Sequence, residues 1–106
     1  MKSASVRKVF AADMEIGDTI LGRYLRQIPD KENGGYRYRI ETELGQLDLF
    51  STGLLDYLMR EYREGDMVKI VYQGRSELPG SSSHNKKWAH QFSVRPVFSG
   101  SWKEQD

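Results

Sequence analysis

The sequence predicts a single all-β domain with one helix, and three observations carry that prediction. Short runs of alternating apolar and polar residues recur along the chain, separated by clusters of Gly, Pro, Asn, Asp and Ser that mark turns. One segment, Leu55–Tyr62, instead repeats its apolar residues at helical spacing. At 106 residues the chain is sized for one hydrophobic core.

The organised part begins at Gly17. Thr19 to Ile28, "TILGRYLRQI", is rich in β-branched and aromatic residues and reads as a first strand, with Gly22 placed for a bulge or sharp bend. "PDKENGG", Pro29 to Gly35, carries charge and turn formers without an apolar anchor, the mark of a hairpin loop. "YRYRIETE", Tyr36 to Glu43, and "QLDLFS", Gln46 to Ser51, alternate as the second and third strands. A tight turn on Leu44 and Gly45 would set Ile40 opposite Leu49 and Arg39 opposite Phe50.

Leu55, Leu58, Met59 and Tyr62 then form the buried stripe of a helix that Ser51 or Thr52 caps and that "EGD" closes at Gly65. "MVKIVYQG" presents Val68, Ile70 and Tyr72 on one face of a fourth strand. "RSELPGSSSHNKK" is a long polar loop, and "WAHQFSVRPV" returns to strand alternation with Phe92 and Val94 inward. Three strands, a helix and two strands, with long loops in the first and last hairpins, is the order of a five-stranded Greek-key oligonucleotide/oligosaccharide-binding (OB) barrel, its helix between the third and fourth strands. The predicted boundaries are an amino-terminal segment 1–16, in which "VRKVFAADMEI" has room for a short strand, a barrel 17–97 and a tail 98–106.

Composition narrows the function. Apolar residues make up 38% and charged residues 29%, the balance of a soluble globular domain. No run approaches the roughly 18 apolar residues of a membrane span, and the amino terminus lacks the apolar stretch of a secretory signal, so the expectation is cytoplasmic and without a membrane partner. Zero cysteines exclude a disulfide framework, thiolate metal ligation and a cysteine nucleophile. His84 and His90 are the only histidines and sit at no zinc spacing, and the carboxylates Glu41, Glu43 and Asp48 lack a companion lysine or histidine motif. No phosphate-cradling glycine loop or serine elbow occurs, so neither an enzyme nor a cofactor is expected.

The net charge is +1, yet Arg23–Arg39 and Arg75–Arg95 each carry +3, so a fold that joins these segments creates a basic surface. With Leu47 and Leu49 inward, strand alternation turns Arg37, Arg39 and Phe50 outward, where an aromatic face beside guanidiniums suits a single nucleic-acid strand. Tyr24 is a second candidate for stacking, re-aimed if Gly22 bulges, and Arg23 and Arg26 line the same groove. "HNKKWAH" adds Lys86, Lys87 and Trp88 to Arg75 around the last loop, a basic and aromatic mixture able to clamp a strand.

The motifs "GDTILGRYL", "FSTGLL", "REGDMVKIVYQG" and "HQFSV" resemble those of the OB-fold single-stranded-DNA-binding proteins of bacteriophages and their relatives, over Gly17 to about Val97. The resemblance implies a non-enzymatic single-stranded-DNA binder of phage or mobile-element replication or recombination, at work in the cytoplasm of a bacterial host. Its partners would be the DNA and proteins of replication or recombination, and a homodimer would add avidity. A protein adaptor that meets an acidic partner and an RNA-binding barrel are the alternative functions of the same surface.

Overall fold

The computed structural model describes residues 6–32, 34–77 and 88–98. Six strands form one sheet in the order β1-β4-β3-β2-β5-β6, made of β1 (Arg7–Val9), β2 (Thr19–Pro29), β3 (Tyr36–Thr42), β4 (Gly45–Phe50), β5 (Met67–Glu77) and β6 (Trp88–Pro96). Helix α1 (Gly53–Met59) follows β4, and a 3-10 turn (Ala11–Asp13) follows β1. Every pairing is antiparallel except that of β1 with β4, so the sheet is mixed.

The core lies on one face of this sheet, where strand alternation collects Ile20, Tyr24, Tyr38, Ile40, Leu47, Leu49, Val68, Ile70, Tyr72 and Phe92. β2 is shared: its first half pairs with β5 and its second half with β3. Gly22 sits at the crossing, and a Cβ there would lie 2.1 Å from the Glu41 carbonyl oxygen. Glycine is therefore required by close backbone approach. The bulge expected there lies farther along, at Leu25, between the registered residues Tyr24 and Arg26. A second register shift falls at Gln73, where Gly74 takes φ +91 and lets β5 run on to Glu77 alongside the start of β6.

α1 starts at Thr52, whose Oγ1 accepts a hydrogen bond from the Leu55 N–H at 3.3 Å, and it buries Leu55 and Met59. The Tyr38 hydroxyl donates to the Asp56 carboxylate at 2.5 Å, tying the helix to β3. Burial first, and this bond second, push the Tyr38 hydroxyl well above its ordinary pKa. The helix ends at Met59, before the expected Tyr62, because Glu61 and Tyr62 bond back three residues in tight turns. Tyr62 still reaches the sheet and donates its hydroxyl to the Val94 carbonyl at 3.0 Å.

Two expectations are corrected. The sheet does not close into a five-stranded barrel: the free edge of β4 is taken by β1, so β6 does not pair with it. The segment before Gly17 thus joins the sheet, with Ala11 buried and Val9 and Met14 packed on the core. The β3–β4 register is also two residues away from the expected one. Thr42 pairs with Gly45, leaving Glu43 and Leu44 as the loop. Neither loop residue has positive φ, so the turn relies on Gly45 at φ +118 immediately after it. A shift of two preserves which face each side chain occupies but changes every cross-strand neighbour.

Candidate nucleic-acid interface

The face of the sheet opposite the core collects cations. Among the described strand residues, register places Lys8, Arg23, Arg26, Arg37, Arg39, Lys69 and Arg95 there, against Glu41 and Asp48. That is a net +5 on a chain whose total is +1. One row across four strands reads Lys8, Asp48, Arg39, Arg26, which sets one carboxylate between Lys8 and Arg39 with Arg26 beyond.

Asp48 is only 3% exposed and organises the centre of this face. Arg39 grips it with two bonds, Nε to Oδ1 at 2.8 Å and a terminal nitrogen to Oδ2 at 3.0 Å. These bonds raise the Arg39 pKa above its ordinary value. Arg37 joins as an ion pair, with Nε 3.2 Å from Oδ2 but without hydrogen-bond geometry. The observed register also parts the two carboxylates of this face: Glu41 lies across from Gln46 and Arg23, and Asp48 across from Arg39. Arg37 and Arg39 do share the predicted outer face, yet both are already engaged by a carboxylate.

Phe50 is not the open stacking surface that strand alternation implies. It is 8% exposed because Phe10 stacks on it, with ring centroids 4.3 Å apart and planes inclined by 16°. The amino-terminal strand carries Phe10 over β4, and nothing in the local pattern of β4 reports that cover. Tyr24 is also corrected: it is 5% exposed and meets Tyr38 edge-on at 5.9 Å, inside the core. The Leu25 bulge comes after Tyr24 and leaves it pointing inward. Burial, followed by the nearby Glu64 charge, raises the Tyr24 pKa.

The remaining predicted residues separate by position. Arg23 is half-buried and donates to the Gly65 carbonyl at 2.9 Å. Arg75 is exposed and pairs with His90 on the β5–β6 arm, two residues before Glu77 pairs with Trp88. Trp88 is 53% exposed and borders an open cavity of about 610 Å³ shared with Thr52, Leu54 and Gln91. His90 turns its Nδ1 to the Tyr72 hydroxyl at 2.6 Å. Lys86 and Lys87, with His84, lie outside the described residues.

Lys8, Lys69 and Arg95 are the cations that residue-by-residue reading missed. Lys69 had a signal, since it stands alone between the inward-facing Val68 and Ile70. Lys8 had none, because its place depends on the pairing of β1 with β4. Among the described residues, no group of three or more His, Asp or Glu is placed to hold a metal ion. No described helix is long and apolar enough to cross a membrane.

Comparison with known proteins adds no relative: no family model, no curated protein and no solved structure matches the chain.

Proposed function

We propose that the chain is a non-enzymatic single-stranded-DNA binder, built on an OB-type barrel left open between β4 and β6. The single observation that carries this reading is the sorting of charge to +5 on the non-core face of a sheet. The connectivity supports the barrel: β2 pairs with both β3 and β5, β5 pairs with β6, and the helix follows β4.

Arg26, Lys69 and Arg95 are exposed on this face and free to meet phosphates, and Arg23 is half-buried on the same face, whereas Arg75 is exposed on the side of the β5–β6 arm that it shares with His90. Lys86 and Lys87, proposed to meet phosphates as well, immediately precede Trp88 in the sequence. Trp88 offers a ring face for a base, a contact that tolerates any sequence. Arg37 and Arg39 contribute less than their count, because Asp48 already neutralises part of their charge. The motif resemblance extends the reading to replication or recombination of phage or mobile-element DNA.

Fluorescence anisotropy with a labelled oligo-dT across a salt series tests the proposal. Three to five phosphate contacts give a slope of log K against log salt of about −2 to −3.5. Absence of binding at low salt defeats it. The covering of Phe50 and the pairing of two arginines with Asp48 favour a second reading, an adaptor that meets an acidic protein. Nuclease-resistant capture of a protein, together with failed anisotropy, selects the adaptor. Competition by matched RNA separates DNA from RNA preference.

A further inference from the structure

We infer that Arg7–Met14 is a displaceable strap across the ligand face, in which Phe10 holds the stacking position on Phe50 that a nucleobase takes in the bound state. The inference rests on the single-strand-binding reading above and concerns how that site is regulated.

The geometry of the aromatic pair is the first argument. The rings lie nearly parallel at 16° with centroids 4.3 Å apart, an arrangement a base adopts on an aromatic platform. The two partners are not equivalent. Phe50 is 8% exposed, whereas Phe10 keeps 37% of its surface in water, so Phe10 is the cover and Phe50 the platform. Around the pair stand Arg37, which registers with Phe50, and Lys8, which registers with Asp48. An aromatic ring between cations is what a base and its flanking phosphates require.

The attachment of the strap is the second argument. β1 is three residues long and joins the sheet by one edge, in the less stable parallel sense. Arg7 and Lys8 are exposed, and the 3-10 turn that follows has no side-chain cap at Phe10. Its hold on the protein is therefore concentrated in Val9, Ala11 and Met14, packed at the margin of the core. A short edge strand of this kind opens locally at far smaller cost than the central strands β2 and β3.

Displacement makes the observed affinity the intrinsic affinity multiplied by the fraction of molecules with the strap released. Removing the Phe10 ring raises that fraction while leaving Phe50, Arg37 and Arg39 in place. Phe10→Ala is expected to bind oligo-dT about three- to tenfold more tightly than the unaltered chain at the same salt. A thermal melt of the variant establishes that it is folded. Hydrogen exchange on the unaltered chain supplies a measurement independent of any substitution. Saturating oligo-dT should speed exchange of the Val9 and Asp48 amides, which face each other across the β1–β4 pairing, while it slows exchange over β2 and β3.

If the unaltered chain binds oligo-dT, Phe10→Ala binds no more tightly and β1 stays protected with DNA bound, the strap is refuted and the binding reading stands. If neither protein binds at low salt, the binding reading itself fails and the strap fails with it.

Discussion

Substituting Asp48 by Asn should lower stability and raise affinity for single-stranded DNA together, a combination that neither a purely structural nor a purely ligand-contacting role produces. Asp48 is 3% exposed and accepts two bonds from Arg39, at 2.8 and 3.0 Å, with Arg37 3.2 Å away. Asparagine keeps one acceptor and turns its amide hydrogens toward a guanidinium, so one charge-assisted bond is lost and the ion pair with Arg37 disappears. Hydrogen bonds to charged groups contribute about 1.5–3 kcal/mol. The Arg37 and Arg39 side chains are 30% and 21% exposed and can turn to water, which keeps the loss below the roughly 3–5 kcal/mol of a fully buried pair. The expected cost is thus about 1.5–3 kcal/mol, or roughly 6–12 °C in melting temperature for a domain of this size. The outer face gains one positive charge and the Arg37 guanidinium is released, so the salt slope for oligo-dT should steepen by about 0.7. Circular-dichroism melts and salt-series anisotropy measure the two effects. An unchanged melting temperature would refute the structural account of Asp48, and weaker binding by the folded variant would refute the proposed ligand face.

Four other outcomes follow from the same structure. Phe50→Ala should destabilise by about 2–4 kcal/mol in a denaturant titration, because a buried ring that stacks on Phe10 is removed. Gly22→Ala should cost more than about 3 kcal/mol or abolish soluble folding, since its Cβ would stand 2.1 Å from the Glu41 carbonyl oxygen. Trp88→Ala should shift stability by no more than about 0.5 kcal/mol while weakening oligo-dT binding by about 1–3 kcal/mol, as the ring is 53% exposed. Tyr38 has a pKa raised by burial and by its bond to Asp56, so the unfolded state loses the phenolic proton first, near the ordinary value of 10.0. Stability from this group is complete below that pH and falls as pH rises above it, and Tyr38→Phe should flatten the alkaline limb of a stability–pH curve.

Much of the architecture was legible in local pattern. Period-two alternation identifies β3, β4 and β6 and sends Tyr38, Leu47, Leu49 and Phe92 to the core, as observed. Thr52 and the spacing of Leu55 and Met59 locate α1 for the same reason: a cap and a stripe are properties of neighbouring residues. The three-residue strand β1 was visible only as room for a short strand, because three residues do not establish a period. That one gap propagates. Without β1 in place, β4 looks like an edge free for β6, Phe50 looks open and Asp48 looks solvated, whereas its pairing covers all three.

The amino-acid sequence by itself determined which side chains share a face along the unbulged strands β3 and β4, since alternation there survives any register shift of two residues. It also determined the turn chemistry, with glycines at positive φ where Gly45 and Gly74 allow the chain to bend. Tertiary structure alone decided what each face meets. The true β3–β4 register set Arg39 across from Asp48, and the parallel docking of β1 laid Phe10 over Phe50. Such contacts join residues far apart in the chain, and their free energy depends on distances and solvent exclusion that no local pattern encodes.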